Sequence, residues 1–131
     1  MKHFVLSSER RQWPFRMTMS GRAGEILYQE GERTLRIEWE MSGSAELDLL
    51  LAPLRLGEWT SEPSAIPKEK QREILKRLRE WLSYRGLRSD IDLPPDAADS
   101  DQTCLWQDCS ARQLAGSAYC REHFDETLLS Q

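Results

Sequence analysis

All three cysteines of this chain fall within a span of seventeen residues, as Cys104, Cys109 and Cys120, and His123 closes the run. The spacing is C-x4-C-x10-C-x2-H. Three thiols and an imidazole are the ligand types that a tetrahedral zinc site takes, and a shell filled by four protein ligands marks a structural rather than a catalytic site. Cys120 and His123 stand i, i+3, which places both on one face of the first turn of a helix. The spacing therefore predicts a metal-built module over residues 103–131, with zinc as structural cofactor and Cys104, Cys109, Cys120 and His123 as ligands. The segment has only Leu105, Trp106, Leu114, Tyr119 and Phe124 near the ligands to form a core. The metal has to supply much of its folding energy. The pattern resembles a treble-clef-like finger: a first knuckle, a hairpin through Gly116, and two ligands from a terminal helix.

The same commitment of cysteines removes most catalytic chemistry. A filled zinc shell leaves no position for an activated water, and the other histidine, His3, stands in a segment without periodicity. No Ser–His or Cys–His couple can be assembled from what remains. Glu38 and Glu40 alternate on a strand and read as a solvated face rather than an acid–base couple. Gly21, Gly24 and Gly31 lack phosphate-loop spacing. An enzyme is not expected.

The rest of the chain reads as α+β, a small antiparallel sheet of three to four strands packed on one long helix. Thr34–Met41 alternates, with Leu35, Ile37, Trp39 and Met41 on one face and Thr34, Arg36, Glu38 and Glu40 on the other. That is a strand with one buried and one wet side. Ile26–Gln29 precedes it around Gly31. Leu47–Ala52 is a third strand stopped by Pro53, and its apolar density predicts a central position. Leu54, Leu56 and Trp59 follow in a loop with Gly57, Pro63 and Pro67. Residues 67–85 are the long helix, opened by Pro67 and ended by Gly86 as the C′ residue. Ile74, Leu75, Leu78, Trp81 and Leu82 form its apolar stripe. Leu87, Ile91 and Leu93 suggest a last short strand. Domain bounds follow: a mobile arm at 1–23, the α+β domain at 24–93, an acidic linker at 94–102 opened by Pro94-Pro95, and the zinc module at 103–131.

Charge is strongly blocked. Residues 67–88 hold eight basic and three acidic side chains, while 89–102 hold five acids and no base. The net charge is −4, and no run of 18 or more apolar residues exists, so no segment is expected to span a bilayer. Reduced cysteines beside a metal agree with a cytoplasmic location. Alternating blocks of charge fit a shaped protein partner better than a uniform phosphate backbone. Trp59, Tyr84 and Trp106 are the candidate anchors for such a partner. The alternative is a small nucleic-acid-associated regulator using the basic helix face of Lys68, Lys70, Arg72, Lys76, Arg77, Arg79, Arg85 and Arg88.

One resemblance bears on the partner. Tyr28-x-Glu30-Gly31-x-Arg33-x-Leu35, the apolar strand at Leu49–Leu51, Trp59 in a proline-containing loop, Ile66, and Gln71-Arg72-x-Ile74-Leu75 with Leu82 before Gly86 together resemble a bacterial immunity-protein family of polymorphic toxin systems. The resemblance spans residues 28–86. It implies a protein that binds and blocks a cognate toxin, with the acidic block at 89–102 facing a basic toxin surface.

Overall fold

A computed structural model describes residues 13–92, 102–114, 117 and 119–129. Four strands form one antiparallel meander in the order β1 (Phe15–Ser20), β2 (Ala23–Glu30), β3 (Arg33–Met41) and β4 (Leu49–Leu50). Helix α1 (Lys68–Tyr84) covers one face of the sheet, and α2 (Arg121–Leu129) carries the last metal-ligand candidate. The α+β architecture expected from the sequence is present. No helix among the described residues is long and apolar enough to cross a membrane.

The first two turns share one device. Ser20 pairs with Ala23 across Gly21-Arg22, and Glu30 pairs with Arg33 across Gly31-Glu32. Gly21 and Gly31 have φ of 65° and 62°, at the first position of each two-residue loop. A tight hairpin needs a positive φ there, and glycine adopts it without steric cost. This registers Phe15 and Met17 beside Tyr28 and Ile26, and Ile26 and Tyr28 beside Ile37 and Leu35. Because side chains alternate along a strand, these residues share the inner face. Arg16, Thr18, Glu25, Arg36 and Glu38 share the outer one.

Three expectations change. Residues 1–23 are not an arm throughout, because Phe15–Ser20 forms β1 and Phe15 is buried between Tyr28 and Trp81, with ring centroids 5.2 and 5.3 Å away; residues 1–12 lie outside the described part. The third strand shortens from Leu47–Ala52 to Leu49–Leu50 and stands last in the sheet order rather than centrally. The strand expected from Leu87, Ile91 and Leu93 reduces to a single parallel bridge, Leu49 to Ser89, with Leu93 outside the described residues. The physical reason is Asp90. Its carboxylate accepts hydrogen bonds from the Leu51 and Ala52 N–H groups at 2.7 and 3.1 Å. A side chain thus satisfies backbone donors that a strand would have served. The acidic linker at 94–102 also falls outside, except for Gln102.

Helix α1 matches its expected span to within one residue at each end. Ile74, Leu75, Leu78, Trp81 and Leu82 are buried against the sheet. Gly86 has φ of 72°, its N–H bonds Ser83 O, and the Leu87 N–H bonds Leu82 O. This pair of bonds is a Schellman cap, which satisfies carbonyls at the helix end. Leu51, Leu54, Leu56 and Trp59 fill the core from irregular chain.

Candidate metal centre

A short hairpin and the start of α2 build the site. Thr103 pairs with Arg112, the Cys104 N–H donates to Ala111 O at 2.8 Å, and the Gln113 N–H donates to Gln102 O at 3.0 Å. These bonds close a hairpin whose tip carries Cys104 and Cys109. Inside the tip the Trp106 N–H points at Cys104 Sγ (3.4 Å) and the Cys109 N–H bonds Trp106 O (3.1 Å). Asp108 sits at φ 63° to complete the turn. Aspartate is among the few non-glycine residues that enter this region at modest cost. The expected hairpin through Gly116 falls on residues outside the described part. On the other side, the Cys120 carbonyl accepts the first bond of α2 from the Phe124 N–H at 2.8 Å. Cys120 is thereby set one turn from His123, as their spacing predicts.

The four side chains come together. One ligand atom from each of Cys104, Cys109, Cys120 and His123 lies within 4.8 Å of all the others. His123 Nδ1 is 3.5 Å from Cys104 Sγ and 3.3 Å from Cys120 Sγ, and Cys109 Sγ is 3.8 Å from Cys120 Sγ. All three cysteines are free of disulfides. Trp106 stacks on the His123 ring with centroids 4.7 Å apart and planes 1° apart, which fixes the ring's rotation. The arrangement is compatible with a bound metal ion.

The electrostatics of the cluster point the same way. Burial opposes ionisation of Cys104, but the N–H groups of Cys120 and Trp106, with His123, outweigh it and bring the thiol down to about 6. At Cys109 a bond from the Ala111 N–H favours the thiolate, yet burial and the neighbouring Cys104 and Cys120 push the thiol up. Ionising one sulfur discourages the next. A divalent cation at the centre removes that conflict, because a coordinating thiol is deprotonated outright.

The module is fastened to α1 by contacts that periodicity and spacing do not reveal. Arg79 reaches Asp125 (2.9 Å), donates from Nε to Ile91 O (2.7 Å) and lies 5.9 Å from the Phe124 ring centroid. Glu126 pairs with Arg72 and, at 3.8 Å, with Lys68. The Arg72 guanidinium holds the Glu126 carboxyl below the usual glutamate range. Lys68 Nζ donates to Leu129 O at the C-terminal end of α2 (3.1 Å), where a cation also meets the negative end of the helix dipole. Leu129 is 1% exposed and belongs to the main core. Arg79→Met keeps most of the bulk while leaving Asp125 without its ion-pair partner and the Ile91 carbonyl without its charged donor. A hydrogen bond from a charged donor is worth about 1.5–3 kcal/mol. The variant should lose roughly 2 kcal/mol in urea unfolding, with faster amide exchange along α2. Unchanged exchange there would show that Arg79 does not hold the module.

The remaining candidate residues divide. Trp59 is 3% exposed, stacked 6.2 Å from Tyr28 and capped by Arg33. It is a core residue, and its expected role as a surface anchor is corrected. Tyr84 is 53% exposed and packs on Trp13. Trp106 is half-buried and occupied by His123. The basic helix face is largely engaged within the molecule: Lys68, Arg72 and Arg79 hold α2, Lys70 pairs with Glu30 and Glu73, and Arg88 pairs with Asp48. No family model, curated protein or solved structure matches the chain.

Proposed function

We propose that this chain is a non-catalytic protein-binding module built around a structural zinc ion, which binds and blocks a partner protein in the manner of an immunity or adaptor protein. The spacing of the four ligand atoms carries the reading. A zinc tetrahedron with Zn–S of about 2.3 Å and Zn–N of about 2.0 Å has S···S edges of about 3.8 Å and S···N edges of about 3.5 Å. Three of the six edges, Cys109–Cys120 at 3.8 Å and the Cys104–His123 and Cys120–His123 distances of 3.5 and 3.3 Å, correspond to those values, and all six lie within 4.8 Å. Soft thiolates with one imidazole favour zinc over harder cations. Bound there, zinc supplies a cross-link between the hairpin tip and α2. With four protein ligands it has no place for a reacting water.

Engagement of the basic face supports a protein partner over a nucleic acid. A phosphate backbone needs a stripe of available Lys and Arg, and five of the eight basic residues on and after α1 have carboxylate partners in the fold. The test is affinity capture from the source cells on zinc-loaded full-length chain, with and without nuclease. The expected result is a stoichiometric protein partner that survives nuclease and moderate salt. Capture of nothing, or only of material that nuclease releases, would overturn the reading.

A further inference from the structure

The protein-binding reading names no surface, and the structure offers one at the first strand. Among the described residues strand β1 is an edge of the sheet, since the order runs β1-β2-β3-β4. The bond from the Gln29 N–H to Pro14 O sets the phase of the β1–β2 ladder. Hydrogen-bonded pairs alternate in an antiparallel ladder, so Arg16 and Thr18 bond inward to β2, and the N–H and C=O groups of Met17 and Met19 point away from the sheet. Proteins usually blunt such an edge with proline, bulges or several charges. Within its six residues β1 has one charge, Arg16, and no proline.

A groove of about 880 Å³ runs along this edge, between β1 and the last turns of α1. Trp13, Met17, Trp81 and Tyr84 supply much of its apolar surface, and among the described residues its only charged lining residues are Arg16 and Arg85. Arg85 lies over the Trp81 ring, 5.3 Å from the centroid. In contrast to the arginines that hold α2, neither Arg16 nor Arg85 has a carboxylate partner among the described residues.

We propose that the β1 edge and this groove bind an extended segment of a partner protein that alternates apolar and acidic side chains, added to the sheet as a further antiparallel or parallel strand. Resting on the protein-binding reading, this names the surface and the chemistry of the partner. Strand addition satisfies the outward backbone groups of β1, and alternate side chains of the added strand reach Trp81 and Tyr84 on one face. Carboxylates on the outer face of the incoming strand meet Arg16, which is capable of a bidentate contact, and Arg85 beside Trp81 adds positive charge at the end of the groove.

The test titrates isotope-labelled, zinc-loaded full-length chain with a capped synthetic peptide of about ten residues, the length of a long strand, alternating valine and aspartate. A control peptide carries lysine for aspartate. The expected result is movement and slowed hydrogen exchange of the Met17 and Met19 amides and movement of the Trp13 indole signal. The aspartate peptide should bind at least about tenfold more tightly than the lysine peptide. Met17→Pro removes an outward N–H while leaving the β1–β2 bonds in place, and should weaken binding at least about tenfold. Should that variant not fold, Arg16→Glu with Arg85→Glu, both at exposed positions, should reverse the preference towards the lysine peptide. Equal affinity for the two peptides, absence of binding, shifts confined to other elements, or Met17 and Met19 amides already protected in the free chain would each overturn the proposal. If a nuclease-resistant partner is still captured after such a result, the protein-binding reading stands and only the surface is wrong. Loss of both retracts both.

Discussion

Removal of the metal by a chelator, or replacement of Cys120 by serine, should unfold residues 102–129 while the sheet and α1 persist. Apparent zinc-binding energies in small finger modules are about 10–16 kcal/mol, far more than the side chains of this segment provide by themselves. Among the described residues near the ligands only Leu114 joins Cys104 and Cys120 in being deeply buried. Without the ion, the hairpin tip and α2 keep no cross-link, and the Cys104 and Cys109 thiols are left with opposed ionisation preferences. The loss reaches the rest of the molecule through Leu129. Emptying a fully buried leucine site costs about 2–5 kcal/mol, and the Arg79 and Arg72 ion pairs lose their partners. The remaining domain should therefore unfold at lower temperature than the loaded protein, rather than independently of the metal. Amide spectra of the two segments measure both effects together. A chelated protein with unchanged signals from Cys104 to Leu129 would contradict the account.

Gly24→Ala should be the most damaging single substitution outside the metal centre. A Cβ at this position would stand 2.0 Å from the Thr18 carbonyl oxygen and 2.7 Å from the Trp39 ring. The first contact is with backbone, so no rotamer change relieves it. Trp39 is Gly24's partner across the β2–β3 ladder, and its indole lies over the glycine in place of a side chain. Overpacking in a core costs typically 1–3 kcal/mol and more where backbone must move. A loss of about 3 kcal/mol or more in unfolding free energy from denaturant titration is expected, with separation of β1 from β2 as the structural consequence. Gly43, where a Cβ meets nothing within 4 Å, is the matched control and should tolerate alanine with little change.

Elements with a strong period were readable from the sequence. Leu35, Ile37 and Trp39 alternate and Ile74 through Leu82 keep one helical stripe, so these landed on the faces expected, while Met41 at the end of the same row is 43% exposed. The ligand quartet was readable because its chemistry depends on residue type and spacing more than on packing. β1 was not. Its inner positions are Phe15, Met17 and Met19, the last two with weak strand preference, and Trp13-Pro14 before it has the look of a loop. A signal was nonetheless present: Gly21-Arg22 repeats, ten residues earlier, the Gly31-Glu32 turn that was recognised. Trp59 was misjudged for a different reason. It is buried from irregular chain, where no periodicity separates a core aromatic from an exposed one. The apolar density of Leu47–Ala52 reflected Leu49 and Leu51 entering the core beside a side-chain-capped edge, not a central strand. The fastening of α2 joins residues more than forty positions apart, as Arg72 and Glu126 do. Its trace in the sequence was the block of bases at 67–88, part of which is matched by the acids of the last helix rather than by an outside partner.

X-ray absorption at the zinc edge of the loaded full-length chain tests the central claim most directly. The account predicts one zinc per chain with three sulfurs at about 2.3 Å and one nitrogen at about 2.0 Å. A shell containing an oxygen donor, or a chain that takes up no zinc with its thiols reduced, would contradict a closed structural centre formed by Cys104, Cys109, Cys120 and His123.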